Sequence, residues 1–414
     1  MTLTSTAADT GHRAGTVEHR RVLVALFVAG LATFELLYST QALLPALGTA
    51  FGVSAAQSTL ALSLTTLGLG VSLLVVGPVS ELVGRTRLIH GSLALSVVLA
   101  ATCALAPSWS ALLALRLLEG VALSGLPAVA TAYLREELHP STHARAAGLY
   151  IGGTAFGGMA GRLITAPVAE LLGWRAGAAT AAVVGLACAV AVRRLLPPSR
   201  HFSPAAASAR GLLRMLRRAL EDPVLLALYA IGGCSVGAMV GVFNTLGFRL
   251  AAAPFQLGLG AASLVFLVYP LGTVSSTVAG ALADRLGRRA VLPVGCVVAL
   301  AGVLVTLASW LPLVVAGVAL MTTGFFVVHG VASGWVPVRA HAGGVATAQA
   351  ASLYLFTYYA GASVFGSLAG TAWSAVGWTG VVLLASGLLV VSGLLGWLLR
   401  RAPTLLGRVE PGAG

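Results

Sequence analysis

The chain has 414 residues, of which 58% are hydrophobic and only 9% charged, and its mean hydropathy is +0.95. Soluble domains carry charge on about a quarter of their residues, so the composition excludes a water-soluble enzyme or nucleic-acid binder and predicts a polytopic membrane protein. The net charge of +13 comes from 25 basic residues, all arginine, most of them in short gaps between apolar runs, where they mark topology rather than a polyanion site.

A membrane span needs about 20 apolar residues. After a tail over 1–21, apolar runs broken by Gly, Pro or charge predict spans at 22–44, 54–78, 88–106, 109–133, 145–170 and 174–195. Six more follow at 224–248, 257–281, 290–308, 311–335, 345–373 and 377–399. The first run is too long for a signal-peptide core and no cleavage signal follows it, so it is expected to stay in the mature protein. Twenty-one arginines collect on one side of these spans and only Arg175 and Arg249 on the other. The arginine-rich side is expected to be cytoplasmic, with both termini inside and the chain in the inner membrane of a bacterium. The domains are then a six-helix bundle over 22–196, a cytoplasmic linker over 197–222, a second bundle over 223–401 and a tail over 402–414.

The linker starts with prolines that exclude a helix. From Ser208 onward, Leu212, Leu213, Leu216 and Leu220 recur at helical spacing against Arg210, Arg214, Arg217 and Arg218. That pattern predicts a short basic helix lying on the inner membrane surface; a solvated linker is the alternative. Cys103, Cys188, Cys234 and Cys296 are scattered through apolar runs without CxxC spacing and are expected to be free, buried thiols. His139 and His143 have a metal-compatible spacing but no further clear ligands, so no metal site is expected.

The two halves repeat. Gly77, Gly84 and Arg85 recur as Gly280, Gly287 and Arg288 at an offset of 203, and Glu81 is answered by Asp284. Leu149-Tyr150 and Gly173-Trp174 recur as Leu353-Tyr354 and Gly377-Trp378 at an offset of 204. A duplicated six-span unit enters the membrane in the same orientation twice, the parallel-repeat plan of two-bundle transporters.

These residues carry a family resemblance. The segment GALADRLGRRAVL (280–292) resembles the loop motif of the major facilitator superfamily at each defining position. GPVSELVGRTRLI (77–89) resembles it with departures: Leu82 where the family favours Arg, Thr86 where it favours a base, and Glu81 where it has Asp. The resemblance spans the whole chain and implies an all-α membrane fold of 12 transmembrane helices in two pseudo-symmetric six-helix bundles. It also implies a conformational latch made of Gly77, Glu81, Gly84 and Arg85 in one loop and Gly280, Asp284, Arg285, Gly287, Arg288 and Arg289 in the other. RLLEG (116–120) resembles the proton-coupling motif of drug and sugar antiporters, with Glu119 replacing Gln. GLYIGGTAFGGMAGR (148–162) resembles their Gly-rich antiporter motif without the Pro expected beside Gly152, which singles out Gly148, Gly152, Gly153, Gly157 and Gly161 as helix-packing positions. ELLYSTQALLP (35–45) is similar to the Tyr-x-x-Gln segment of bacterial efflux permeases.

Four charges fall within spans, where each costs at least ~2.5–3.5 kcal/mol near the bilayer centre. At ~1.5 Å per residue, Glu35, Arg116, Glu119 and Arg162 lie ~10–15 Å from the outer edge, in one layer. All belong to the first repeat; the aligned places in the second, near Ala238, Ala319, Thr323 and Gly366, cannot ionise. They form either a static ion-pair cluster or a proton-coupling site. In the coupling reading Arg116 and Arg162 cannot release protons, so a carboxylate is the carrier. Glu35 is the first choice, because Glu119 lies three residues from Arg116 on one helical face. Tyr38, Gln41, Asn244 and Tyr358 are the candidate substrate contacts, with Tyr354 and Tyr359 as further candidates; His329 reads as a hydrogen-bonded core histidine. The stripe of Gly153, Gly157 and Gly161 leaves one helix face bare, so that a neighbour can approach closely.

The expected function is export of a small organic solute, a drug or sugar, coupled to protons through alternating access; an importer or facilitator is the alternative. A chain without Lys cannot build a P-loop, so direct ATP drive is excluded. No nucleophile–base pair or metal constellation supports an intramembrane enzyme. The expected partners are the solute, protons and the lipid bilayer, with no cofactor, no nucleic acid and a monomeric state.

Overall fold

The computed structural model describes residues 11–200 and 216–401. The basic linker helix proposed from Ser208 lies outside the described residues except for 216–221, which are helical, with Arg217 and Glu221 paired at 2.9 Å. The expected tail over 402–414 lies outside them as well, and that over 1–21 is described from Gly11 onward.

Every regular element among the described residues is helical. The first half runs α1 (Val17–Tyr38), a 3₁₀ turn (Ser39–Leu43), α2 (Leu44–Phe51), α3 (Ala55–Ser58), α4 (Leu60–Val83), α5 (Arg85–Ala104), α6 (Trp109–Leu123), α7 (Gly125–Glu137), α8 (His143–Leu172) and α9 (Trp174–Leu195). The second runs α10 (Pro223–Ala251), α11 (Leu259–Ser263), a 3₁₀ turn (Leu264–Val268), α12 (Pro270–Leu286), α13 (Arg288–Val305), α14 (Leu311–Ala342), α15 (Thr347–Val376) and α16 (Trp378–Leu398). Ten helical stretches are long and apolar enough to cross a membrane. The remaining two expected spans, 145–170 and 345–373, form the 30-residue helices α8 and α15. Large apolar side chains such as Val98, Val183, Val297 and Leu383 are exposed, the outward face a lipid environment requires.

Four expected spans are interrupted, span 2 by the break at Thr59 between α3 and α4. Span 1 switches to 3₁₀ at Ser39, span 4 divides between Leu123 and Gly125, and span 8 begins as α11 and a 3₁₀ turn before α12. The hairpin turns repeat with the sequence: Gly84 and Gly287 take φ of +91° and +84°, a left-handed conformation that favours glycine at both places.

The chain divides into two compact units. Unit 1 gathers the described residues of Met1–Val53, Leu60–Ala206 and Leu257–Leu267; unit 2 gathers those of Ser54–Thr59, Ala207–Gln256 and Val268–Gly414. Two short segments, 54–59 and 257–267, thus group apart from their neighbours in sequence. In unit 1 the Gly260 N–H donates to Glu170 Oε2 at 2.6 Å, tying α11 to α8. In unit 2 the face of α15 at Gly370 receives Ala55 and Thr59.

Unit 1 is organised by α1 against α8. A Cβ at Gly153, Gly157 or Gly161 would overlap the backbone carbonyl of Phe27, Leu31 or Glu35, so both helices keep contact in steps of four residues. Gly148 and Gly152 were expected to share this role and do not: a Cβ at Gly148 meets open space, and at Gly152 only the edge of the Phe27 ring at 4.0 Å. The reason is rotation. One residue is about 100° of helix, so the row through 148 and 152 faces away from the row through 153, 157 and 161. In unit 2 the equivalent pair is α10 against α15, and the small residues have largely changed helix. Gly361 still abuts the Gly233 backbone, but Phe365, which replaces the third glycine, rests on Gly237 of α10.

At one end of unit 1 the loop after α7 holds two other segments. The His12 N–H donates to Glu137 O and the His139 N–H to His12 O. Glu137 Oε1 accepts from Ser199 Oγ at 2.8 Å and from the Arg200 N–H at 2.7 Å, and the Tyr133 hydroxyl donates to Pro197 O. Thr86, a departure from the family motif, accepts the Ser199 N–H at 2.9 Å. The non-helical start of the linker is thus pinned to the bundle.

Gly157→Val is expected to destabilise the detergent-solubilised protein by ~1–3 kcal/mol through overpacking, with a lower thermal midpoint, while Gly148→Val leaves the midpoint unchanged. Equal midpoints for the two variants would contradict the α1–α8 register.

Candidate functional site

The site in unit 1 begins with the break in the first span. An α-helix continuing past Tyr38 would supply N–H donors to Leu36 O and Leu37 O; the 3₁₀ turn withdraws them. The Ser39 hydroxyl donates to Leu36 O at 3.1 Å, and Arg116 on α6 supplies the rest. Its NH2 donates to Leu37 O at 3.0 Å, its NH1 reaches Leu36 O at 3.5 Å, and its Nε donates to Ala61 O at 3.2 Å on α4. NH1 also pairs with Glu119 Oε2 at 2.6 Å, one turn along the same helix. Arg116 therefore joins three helical segments while its charge is neutralised locally. Glu119 is fully buried; Cys103 Sγ lies 3.7 Å from the same oxygen, and Oε1 has no hydrogen-bond partner.

Arg162 on α8 serves the other side of the break. Its Nε donates to Gln41 Oε1 at 2.6 Å and its NH1 to Gly158 O at 2.5 Å. The guanidinium carbon lies 4.4 Å from the centre of the Tyr38 ring and 4.7 Å from that of Phe266, a cation between two aromatic rings. Thr165 Oγ1 donates to Ser39 O, fixing the 3₁₀ turn itself. Tyr38, Gln41 and Arg162 thus form one cluster.

Glu35 stands between these arrangements and differs from both. It is 0% exposed, and neither carboxylate oxygen has a hydrogen-bond partner. Its backbone lies against Gly161, so α8 closes over it. A carboxylate in this setting would be an uncompensated buried charge, and a proton removes that cost.

Unit 2 offers different chemistry. Asn244 is buried and its Nδ2 donates to Gly366 O at 3.3 Å, tying α10 to α15. Tyr358 packs 4.9 Å from His329 and 5.1 Å from Tyr359. His329 Nδ1 is bonded to the Tyr354 hydroxyl at 3.0 Å. Cys103, Cys188, Cys234 and Cys296 are all free, and Cys188 and Cys234 are only half-buried. No group of three or more His, Cys, Asp or Glu places metal ligands together among the described residues.

The two motif loops differ. Arg85 donates to the Ser80 hydroxyl and pairs with Glu81 at 2.6 Å and with Glu136 at 2.9 Å. The Asp284 carboxylate, in the copy that matches the family motif fully, makes no such bond among the described residues, and a Cβ at Gly77 or Gly280 would meet open space.

Sequence reasoning missed Glu136. It also missed Asp222, whose Oδ1 caps α10 through the Val224 and Leu225 N–H groups while Oδ2 accepts from Arg339 at 2.8 Å. The repeat carried a signal for this pair, since Glu18 and Arg135 stand 204 residues before Asp222 and Arg339. Arg175 and Arg249, the two exceptions to the arginine asymmetry, are internal staples. Arg175 donates to Ala106 O at 2.8 Å and lies 4.4 Å from the Trp174 ring; Arg249 donates to Ala308 O at 2.7 Å and lies 4.4 Å from the Trp378 ring. Equivalent carbonyls and tryptophans are served by arginines from non-equivalent helices.

The profile of the Major Facilitator Superfamily matches residues 22–348. The MFS-type transporter YybF of Bacillus subtilis (strain 168) is 40% identical over 389 residues, covering 94% of this chain and 96% of that protein. The inner membrane transport protein YnfM of Escherichia coli (strain K12) is 40% identical over 387 residues, covering 94% and 92%. In fold, the chain is similar to a bacterial homologue of the human lysosomal transporter Spinster, with a TM-score of 0.75 at 16% identity over 94% of this chain and 98% of that one. A mutant of the nucleoside transporter NupG gives a TM-score of 0.71 at 16% identity, over 91% and 99%. This chain belongs to the major facilitator superfamily. It is a multi-pass membrane transporter and not an enzyme.

Arg116→Leu leaves Glu119 as a buried charge without its partner, and a loss of ~3–5 kcal/mol in detergent stability is expected. Arg116→Leu with Glu119→Leu should cost less than the two single changes added together, since only the backbone carbonyls are then left short of donors. Strictly additive losses would show that the pair is not coupled.

Proposed function

We propose that the chain is a proton-coupled efflux permease of the bacterial inner membrane, exporting a small organic solute, a drug or sugar, by alternating access. The observation that carries this reading is Glu35, a fully buried carboxyl whose two oxygens lack hydrogen-bond partners. Arg116 is committed to Glu119 and to backbone carbonyls, which leaves that pair as a fixed background charge of zero. Glu35 is the group whose protonation changes, taking a proton in the closed environment and giving it up where water or a counter-charge reaches it. The motif resemblances of 116–120 and 148–162 to antiporters support export.

In this reading Tyr38 and Gln41, beside Arg162, are solute contacts, as are Asn244 and Tyr358. The Arg85 network and the Asp284 loop act as latches that exchange partners during the cycle. The protein works as a monomer with the proton gradient as its energy source, without a cofactor or a nucleic-acid partner, and both termini are cytoplasmic.

The test is collapse of an imposed pH gradient in everted vesicles, screened with drugs, sugars and organic acids. Glu35→Gln is expected to abolish the response to a solute that wild type transports, while exchange of that solute at equal pH persists. Undiminished coupling in Glu35→Gln would exclude Glu35 as the carrier. Orientation has its own check: a reporter active only in the cytoplasm should work when fused after Arg401 and fail after Ala252, and activity at both sites would overturn the topology.

A further inference from the structure

One corner of unit 2 gathers arginines. Helix α16 ends at Leu398, and Arg400 and Arg401 follow it beside the first turn of α13. Arg289 NH1 donates to Arg400 O at 3.2 Å, and Arg400 Nε donates to Arg289 O at 3.2 Å. These reciprocal backbone contacts bring two guanidiniums together without neutralising either. The Arg401 guanidinium carbon lies 4.5 Å from the centre of the Trp397 ring. Arg400 and Arg401 pair with no carboxylate among the described residues, and Asp284 is the one acid in the sequence between Asp222 and Glu410.

The first repeat closes the same corner with its own chain. Thr86 and Leu196 stand 203 and 204 residues before Arg289 and Arg400. There Thr86 Oγ1 accepts the Ser199 N–H at 2.9 Å, and the Tyr133 hydroxyl donates to Pro197 O at 2.8 Å. In unit 2 Arg289 replaces Thr86 and Pro337 replaces Tyr133, so both hydroxyls are gone. Farther along, α13 and α16 run close together: a Cβ at Gly396 would overlap the Leu292 side chain, and one at Gly393 would lie 3.6 Å from Cys296 Cβ. On the same two helices Val297, Val390, Leu394 and Trp397 are exposed, so an apolar face continues from a cationic corner.

We propose that this corner binds an anionic phospholipid whose headgroup carries two phosphates. Arg400 NH1 and NH2 and the side-chain N–H groups of Arg401 make no hydrogen bond among the described residues, and they meet the phosphate oxygens. Arg289 positions Arg400 for this contact. One phosphate carries too little charge for the Arg400 and Arg401 guanidiniums; two match them. The acyl chains lie along Val297, Val390 and Leu394, and the Trp397 indole sits at headgroup level. A water-soluble anion would gain nothing from the apolar face.

The test is native mass spectrometry of the purified, delipidated full-length chain in detergent, titrated with cardiolipin, phosphatidylglycerol and inorganic phosphate. Wild type is expected to bind cardiolipin about fivefold more tightly than phosphatidylglycerol, the gain from one more phosphate–arginine contact. Inorganic phosphate in excess should not displace it. Arg400→Gln with Arg401→Gln should weaken cardiolipin binding about tenfold or more. Trp397→Leu keeps both charges but releases the Arg401 guanidinium; it should weaken binding about twofold or more and serves if the double variant fails to fold. Arg20→Gln with Arg21→Gln removes an exposed pair of equal charge in unit 1 and should leave the affinity unchanged. Absence of cardiolipin binding, equal affinity for phosphatidylglycerol, displacement by inorganic phosphate, unchanged affinity in both unit 2 variants, or equal loss in the two double variants overturns the inference.

Discussion

A guanidinium inside an apolar bundle must find acceptors for its N–H groups, and Arg116 finds them in the backbone of the first span. The 3₁₀ turn at Ser39–Leu43 frees carbonyls in the middle of that span, and Arg116 occupies those of Leu36 and Leu37 together with that of Ala61 and the carboxylate of Glu119. The break and the charge are mutually dependent. Without the arginine Leu37 O would lose its side-chain donor in a medium that cannot hydrate it, while Leu36 O would keep the Ser39 hydroxyl; without the break the arginine would keep only Ala61 O and Glu119. Glu35 is set directly before the break, and Gln41 is turned inside it toward Arg162.

The glycine row on α8 makes this arrangement possible. Because Gly157 and Gly161 let the two backbones touch, α8 brings Arg162 and Thr165 to the 3₁₀ turn and closes over Glu35. Unit 2 solves the same packing problem with glycines on α10 and bulk on α15, and its interior carries rings where unit 1 carries charge. The duplicated scaffold has diverged into halves of different chemistry, one with buried charges and the other with packed aromatic rings.

Much of the scaffold is legible in the sequence, because spans and repeats depend on long-range patterns of apolar residues and on glycines at fixed offsets. The charged layer is legible too, since a buried charge stands out against 58% hydrophobic residues. The partners of these charges are less so. ELLYSTQALLP shows no local signal for a 3₁₀ turn, so the carbonyls that hold Arg116 are invisible before folding. Gly148 and Gly152 share the spacing of the packing row but not its rotational phase. Glu136 and Asp222 were passed over because acids and arginines at span ends read as topology markers; only the 204-residue offset distinguishes Asp222–Arg339 from them. Arg175 and Arg249 escaped for the opposite reason, as their roles are equivalent while their positions are not.

The central claim is that Glu35 changes protonation while the Arg116–Glu119 pair does not. Infrared difference spectroscopy of the reconstituted protein measures this directly, through the carbonyl stretch of a protonated carboxyl group as the pH is stepped. The account predicts one such band that appears and disappears with pH in wild type, is absent from Glu35→Gln and persists in Arg116→Leu with Glu119→Leu. A band retained in Glu35→Gln and lost in Glu119→Gln would contradict it.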